Sequence, residues 1–250
     1  MIAASQLTDL RVLRTGGFGA VLCGRLHGTP SGGPPAEVAL KVLLDSENKQ
    51  AKRRFLQEIA LQSTFGHRWV AACGPGRGKR LPPACPALPC AALPCAAAPA
   101  HAPLSRLAPC RHVVRVLATC QLPVDQVQRL LDEHARARPA QPGAAPPVLR
   151  APRGGSVLAS VQELCGGGSL ADVISQQQAQ LRSGGPMVYD QQDALRWLLG
   201  LAQALSHLHT SRPRLIHRDV KPDNVLLCKS EAEGQLEAKL GDLGLTSVRA

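Results

Sequence analysis

The segment of residues 217–224 (HRDVKPDN) concentrates side chains that could do chemistry. Two carboxylates, an ammonium group and an amide lie within six residues of one another, and such groups accept protons, carry charge and bind hard cations. A second candidate is the glycine cluster at 16, 17 and 19. Glycine lets backbone N–H groups approach a bound group closely, because no Cβ intervenes.

Each candidate also has an ordinary structural explanation. Glycines between two strands usually form only a turn, and a lysine on a strand usually lies at the surface. A histidine beside these residues is usually packed and hydrogen-bonded, and a lone acidic residue usually lies on a solvated helix face. The joint order of the motifs along the chain therefore matters more than any one of them.

That order resembles the one found in eukaryotic protein kinases. Residues 217–224 are similar to the catalytic loop H-R-D-L-K-x-x-N, and residues 13–21 (LRTGGFGAV) to the glycine-rich loop. Residues 38–41 (VALK) look like the strand lysine motif, and 242–244 (DLG) like the magnesium-binding D-F-G. Glu58 follows Lys41 by 17 residues on a predicted helix, which suits the acidic partner of that lysine.

The resemblance implies a protein serine/threonine kinase that uses ATP and Mg²⁺ to phosphorylate proteins in signal transduction. It implies four catalytic residues, which are Asp219, Lys221, Lys41 and Glu58. It implies two metal ligands, Asn224 and Asp242. The implied nucleotide-binding residues are Arg14, Gly16, Gly17, Gly19, Val21, Ala39, Lys41, Glu163, Cys165, Asn224 and Asp242. The expected partners are ATP and a protein with a serine or threonine hydroxyl, with no specific nucleic acid.

The hinge and the subgroup follow from the same resemblance. Residues 163–170 (ELCGGGSL) look like a kinase hinge, in which the backbone at Glu163 and Cys165 pairs with adenine and Gln162 is the gatekeeper. Lys221 after Val220 is typical of serine/threonine kinases rather than tyrosine kinases. The glycine-rich loop and hinge together resemble the tyrosine-kinase-like group.

Three residues depart from the family pattern. Arg14 replaces the first glycine of the phosphate loop, and Leu243 replaces the usual phenylalanine. Gln62, four residues after Glu58, stands where related kinases place an apolar side chain in a stack that runs through both lobes. A buried amide there needs a hydrogen-bond partner.

Periodicity predicts a strand-rich first part followed by a helical part. The resemblance implies an α+β, protein-kinase-like fold, with an N-terminal lobe over residues 1–164 and an incomplete, helical C-terminal lobe over 165–250. Strands are expected at 7–13, 20–26, 36–44, 113–120, 156–164, 225–228 and 237–240, and helices at 47–64, 123–137, 169–175 and 190–209. The leucines of the helix at 190–209 form one stripe that the short C-terminal part would leave partly uncovered.

The formal charge of +11 is concentrated in the middle of the chain. Residues 67–155 carry 12 basic and 3 acidic side chains and 15 of the 21 prolines. We expect long disordered inserts at 67–110 and 121–155, which are either loops of this particular protein or wrongly translated non-coding sequence. A basic tether for nucleic acid is the alternative from another class, but exposed aromatic rings are scarce.

Three expectations concern the state of the chain. The start lacks a secretory signal, the number of cysteines is odd and no stretch is apolar enough to span a membrane, so we expect a cytoplasmic protein, with a nuclear location and the cytosolic part of a larger protein left open. No cysteine pair has the spacing of a zinc site. Since the sequence ends six residues after Gly244, we expect a C-terminally truncated domain without peptide kinase activity of its own. The alternative is a truncated pseudokinase or regulatory scaffold that binds nucleotide without catalysis.

Overall fold

The computed structural model describes residues 1–16, 19–28, 33–65, 110–137, 149–151, 154–230 and 235–249. The helices are α1 (Lys49–Phe65), α2 (Val124–Ala137), α3 (Leu170–Ser183) and α4 (Gln191–Thr210). The strands are β1 (Leu7–Thr15), β2 (Gly19–Leu26), β3 (Ala36–Leu43), β4 (Val116–Pro123), β5 (Ser156–Glu163), β6 (Arg214–Ile216), β7 (Val225–Lys229), β8 (Leu236–Leu240) and β9 (Ser247–Arg249). The predicted α+β class, with a strand-rich first part and a helical second part, is confirmed.

The first five strands form one antiparallel sheet in the order β1-β2-β3-β5-β4. Because side chains alternate along a strand, each strand has two faces. Leu22, Leu40 and Val161 lie on one face and are fully buried in the N-terminal core. Residues on the other face, among them Lys41, line the side where the candidate site lies.

Helix α2 covers the buried face of the sheet. Its apolar residues Val124, Val127 and Leu131 recur at helical spacing and join the same core as Leu22 and Leu40. This corrects the expectation that the whole of 121–155 is a disordered insert, because residues 121–137 form the end of β4 and an amphipathic helix. Residues 138–148, 152 and 153, and residues 67–109 of the first insert, lie outside the described residues.

Helix α1 packs against β3 on the opposite side. Phe55 and Ile59 lie one turn apart and form a small cluster with Leu43. The helix begins after Asn48, whose Oδ1 accepts hydrogen bonds from the backbone N–H groups of Gln50 and Ala51 at 3.0 Å each. This packing turns the face that carries Glu58 towards β3.

The second part is built on α4 and the β7–β8 hairpin. Trp197, Ala204 and Leu208 of α4 bury themselves against a core that includes Leu227 and Leu240. Asp190 caps the helix as predicted, accepting a hydrogen bond from Asp193 N at 2.8 Å. Helix α3 extends from a Ser169 cap to Ser183 and is therefore much longer than the predicted 169–175.

The leucine stripe of α4 is only partly buried. Leu195, Leu198 and Leu199 are 60%, 58% and 60% exposed, whereas Leu208 is fully buried. The buried face of the helix is centred on Trp197, whose indole N–H donates to Leu236 O at 3.0 Å. The described part of the chain contains no helix long and apolar enough to cross a membrane.

Candidate active site

The strand register places three predicted site residues on one face of the sheet. Val21 pairs with Lys41, and Ala39 lies two residues earlier on β3. On the next strand Ser160 pairs with Lys41 and Gln162 pairs with Ala39. Since this face is opposite the α2-covered core, these side chains lie between the sheet and α1 or line the cleft towards the second part of the chain.

Lys41 is the centre of the charge cluster. Its Nζ donates to Glu58 Oε1 at 2.7 Å, to Glu58 Oε2 at 2.8 Å and to Asp242 Oδ1 at 2.9 Å. Burial lowers the pKa of Lys41, but the attraction of Glu58 and Asp242 outweighs it and holds the pKa above its ordinary value. The lysine therefore stays an ammonium ion at neutral pH, with all three protons donated.

Helix α1 supplies the buried partner of that lysine. The Glu58 side chain is only 4% exposed, while Lys41 is 23% exposed. Burial raises the pKa of Glu58, and the ammonium of Lys41 opposes this rise. Because both carboxyl oxygens receive a hydrogen bond from Lys41, we assign the two groups as an ion pair at neutral pH.

The catalytic-loop segment is anchored by a buried histidine. His217 is 1% exposed, and its Nε2 lies 2.9 Å from Gly241 O, while its Nδ1 accepts from Asp219 N at 3.2 Å. This pattern requires the proton on Nε2 and a neutral ring. Arg218 follows with a positive φ of 66°, an uncommon conformation that turns the chain so that Asp219 enters the cleft.

Asp219, Lys221 and Asn224 form one hydrogen-bonded group. Asp219 Oδ2 accepts from Lys221 Nζ and from Asn224 Nδ2, each at 2.9 Å, and Asn224 Nδ2 also donates to Asp219 O at 2.8 Å. The hydrogen bond from Lys221 is the main reason that the pKa of Asp219 lies below its ordinary value. Asp219 is therefore ionised at neutral pH and can accept a hydrogen bond from a hydroxyl.

Asp242 comes to the cleft from the end of β8. Its φ is 56°, and its Oδ1 accepts from Gly244 N as well as from Lys41. Leu243 beside it is fully buried in the second core, so the substitution for phenylalanine keeps an apolar anchor. The left-handed turn buries Leu243 while it leaves the Asp242 carboxylate 45% exposed in the cleft.

The oxygen donors of Asn224 and Asp242 fit a magnesium–nucleotide complex. The nitrogen of the Asn224 amide is engaged by Asp219, so its oxygen is the end left for a ligand. No group of three or more histidine, cysteine or acidic side chains in the described ranges could hold a metal ion alone. Mg²⁺ is commonly bound by one or two protein carboxylates, with phosphates supplying further oxygen ligands. Asn224 and Asp242 are therefore suitable as its protein ligands.

The glycine-rich turn is only partly described. Gly16 N donates to Gly19 O at 2.9 Å, and a Cβ at Gly19 would lie 2.7 Å from Val42 O, so only glycine fits there. Gly17 lies outside the described residues. Arg14 Nη2 reaches across the cleft to Asp223 Oδ1 at 3.0 Å, so the departure from glycine places a cation at the cleft mouth.

Comparison with known proteins agrees with this geometry. A model of the protein kinase domain matches residues 152–249, which contain the hinge-like segment, the Asp219 loop and Asp242. This stretch is similar to a protein kinase domain. The lysine and glutamate of the same site lie outside the matched range, and the structure brings them to it through the five-stranded sheet.

Two relatives that match this stretch are named serine/threonine-protein kinases. The human serine/threonine-protein kinase DCLK2 is 40% identical over 89 residues, which are 35% of this chain and 10% of that protein. The rat serine/threonine-protein kinase DCLK1 is 35% identical over 88 residues, which are 35% of this chain and 18% of that protein. The matched stretch thus spans less than a fifth of either relative.

The structure brings six of the predicted site residues into two groups, and Gly17 lies outside the described residues. Lys41, Glu58 and Asp242 are in direct contact, and Asp219, Lys221 and Asn224 are in direct contact. At the hinge-like segment, Glu163 N donates to Arg115 O at 3.1 Å. Cys165 forms a disulfide with Cys228 of β7, a pairing that the sequence did not predict.

One ionic cluster beside the hinge was missed at the sequence level. Glu163 Oε2 accepts from Lys239 Nζ at 2.8 Å and forms an ion pair with Arg115 Nη2 at 3.1 Å. The side chains of Glu163 and Lys239 are only 13% and 11% exposed. The cluster joins the start of β4, the end of β5 and β8, which are distant in sequence, and no local motif marks it.

We expect the free energy of unfolding of this chain to fall on acidification because of His217. Burial lowers the pKa of His217 below 6.5, although the hydrogen bond to Gly241 opposes this. A histidine whose pKa is lowered in the folded state binds a proton more readily when the chain is unfolded. Its contribution to the free energy of unfolding is therefore complete above about pH 6.5 and is lost as the pH falls. The uptake of one proton on unfolding changes the free energy of unfolding by at most about 1.4 kcal/mol per pH unit. Denaturant unfolding between pH 7.5 and 5 gives the free energy of unfolding as a function of pH. Its slope should be smaller in His217→Gln than in the wild type, and equal slopes would contradict the prediction.

Proposed function

We propose that the natural gene product containing these residues transfers the γ-phosphate of ATP to serine or threonine hydroxyls of proteins. The observation that carries this proposal is the contact of Lys41 with Asp242, whose neighbour Gly241 is hydrogen-bonded to His217 and Asn224 of the Asp219 loop. Lys41 and Asp242 are in contact at 2.9 Å although they are 201 residues apart. The kinase-domain match and the serine/threonine kinase relatives support the same conclusion.

The nucleotide would be held from the sheet side and from the loop side. Lys41, fixed by Glu58, supplies a positive charge for the α- and β-phosphates, and the turn at Gly16 and Gly19 brings backbone N–H groups close. Val21 and Ala39 provide apolar surface on the same face, and the backbone at Glu163 and Cys165 would pair with the adenine. Asn224 and Asp242 would bind Mg²⁺, which neutralises phosphate charge when present.

The transfer step uses the Asp219 group. The ionised carboxylate accepts the hydrogen bond of the substrate hydroxyl and orients its oxygen towards the γ-phosphorus. The new O–P bond forms as the bond to the β–γ bridging oxygen breaks and ADP leaves. Lys221 lies beside Asp219 and stabilises the negative charge on the transferred group. Because its pKa lies below the ordinary value, Asp219 is ionised before the transfer and can take up the proton of the hydroxyl as the O–P bond forms.

The test is a calorimetric titration of the chain with ATP, with and without Mg²⁺. We expect saturable binding of one nucleotide that is tighter with Mg²⁺, and Asp242→Asn should remove most of the Mg²⁺-dependent gain, about tenfold in Kd or 1.4 kcal/mol. Asp125→Asn is the matched control, because Asp125 lies in the first turn of α2, on the opposite face of the sheet. Its Kd should equal that of the wild type.

Two outcomes separate the alternatives. A chain that shows no ATP binding with Mg²⁺ would contradict the proposed function outright. Binding without transfer, measured in the natural gene product with a mixed serine/threonine peptide substrate, would instead favour a nucleotide-binding regulatory scaffold. The intact set of Lys41, Glu58, Asp219, Asn224 and Asp242 favours catalysis over that alternative.

A further inference from the structure

Two glutamine side chains meet in the buried space between α1 and β5. Gln162 Nε2 donates to Gln62 Oε1 at 3.2 Å and to Ser160 Oγ at 3.3 Å. Gln62 is 0% exposed and Gln162 is 9% exposed. Gln62 Nε2 has no hydrogen-bond partner among the described residues. A buried side-chain amide costs free energy unless it is hydrogen-bonded. Two buried amides at one contact therefore indicate a role that apolar side chains in the same place would not fulfil.

The position of this contact connects it to the Lys41–Glu58 ion pair. Gln62 follows Glu58 by one helical turn, so both side chains leave α1 on the same face. Ser160, which receives the second hydrogen bond of Gln162, is the cross-strand neighbour of Lys41. Helix α1 is therefore attached to the same region of the sheet twice, once by the ion pair and once by the glutamine pair.

We propose that Gln62 and Gln162 are a positioning pair whose hydrogen bond sets the orientation of α1 and so keeps Glu58 on Lys41. The inference deepens the proposed function, on which it rests, since Lys41 is the residue assigned to the phosphates of ATP.

Directionality explains why a hydrogen bond serves here. The apolar contacts of Phe55 and Ile59 with Leu43 resist separation of α1 from β3, but such contacts tolerate rotation. A hydrogen bond weakens steeply when its angle changes, so a second polar attachment one turn beyond Glu58 restrains rotation of the helix. With the pair intact, the Glu58 carboxylate stays in bidentate contact with Lys41 before any nucleotide binds.

The test follows the ammonium protons of Lys41 in the full chain by ¹H–¹⁵Nζ NMR without nucleotide, with the signal assigned by its absence in Lys41→Met. We expect slow exchange with water in the wild type. Gln62→Met, Gln162→Met and the double variant should each accelerate that exchange at least tenfold, because each lacks the hydrogen bond.

Unfolding by denaturant distinguishes positioning from plain stability. Gln162→Met leaves the buried Gln62 amide without its partner, and Gln62→Met leaves Gln162 with its hydrogen bond to Ser160 alone, so each single variant should be destabilised. The double variant removes both amides and should regain most of the stability. We therefore expect stability to recover in the double variant while Lys41 exchange stays fast. Recovery of slow exchange together with stability would overturn the proposal, since the pair would then act only as packing.

The control is Gln50→Met, an exposed glutamine in the first turn of the same helix, which should leave both readouts unchanged. A wild-type chain that shows slow Lys41 exchange but no ATP binding would contradict the proposed function and still support the pair. If the single variants do not fold, NMR of the wild-type chain alone tests the proposal. Slow exchange of the Gln162 side-chain amide with a nuclear Overhauser effect to Gln62 supports the pair, and fast exchange without it overturns the proposal.

Discussion

Asp219→Asn is expected to lower kcat for peptide phosphorylation by about 10²- to 10⁴-fold in the natural gene product that contains these residues. The amide is neutral and a weaker acceptor, so it no longer orients a hydroxyl or takes its proton. The backbone oxygen of Asp219 still accepts from Asn224, and the loop should keep its shape. Steady-state kinetics and an ATP titration with Mg²⁺ measure the two effects separately.

The expected pattern for Asp219→Asn is a large loss in kcat with a Kd for ATP within about twofold of wild type. Asp125→Asn on α2 serves as the control and should change neither quantity. An equal loss of nucleotide affinity and of kcat would show that Asp219 holds the nucleotide rather than the hydroxyl. An unchanged kcat would remove Asp219 from the transfer step altogether.

Glu58→Gln is expected to lower the free energy of unfolding by about 3 kcal/mol. The variant leaves the buried ammonium of Lys41 without its bidentate partner, and breaking such a pair typically costs 3–5 kcal/mol. The lower end applies because Asp242 Oδ1 still accepts from Lys41 at 2.9 Å. Denaturant unfolding at pH 7 gives the stability, and an ATP titration with Mg²⁺ should show weaker binding in the same variant.

Glu47→Gln is the matched control, because Glu47 is exposed just before α1. It should change stability by less than about 0.5 kcal/mol, the usual range for a surface substitution. A loss in Glu58→Gln as small as in this control would show that the pair is screened and contributes little. The Lys41–Glu58 contact would then not be an ordering element of the site.

Residues 217–224 and 242–244 could be assigned from the sequence because each motif is contiguous. The strand alternation that sets Lys41 on the cleft face could be predicted as well, since it depends only on local periodicity. The partner of Lys41 came from family spacing, and the structure confirms the contact at 2.7 Å. The geometry of such motifs is set by neighbouring residues, so it can be predicted from the local sequence.

Contacts between distant segments could not be predicted in the same way. The pairing of Gln62 with Gln162 spans 100 residues, and that of Arg14 with Asp223 spans 209 residues. The sequence showed that Gln62 needs a partner, but it did not show which one, because register and helix orientation decide this only after packing. Helix α2 was expected from its apolar periodicity, yet its proline-rich surroundings led to the opposite assignment of 121–155 as disordered.

The most direct test of convergence uses ATP with Mn²⁺ as a paramagnetic substitute for Mg²⁺. Relaxation of the backbone amides is compared with Mn²⁺–ATP and with the diamagnetic Mg²⁺ complex. We predict strong broadening at Asn224, Asp242 and Gly244 and clear broadening at Lys41, with none at Val127 on α2. Broadening confined to one of these segments, or spread evenly over acidic surface residues, would contradict the claim that they share one metal-bound nucleotide.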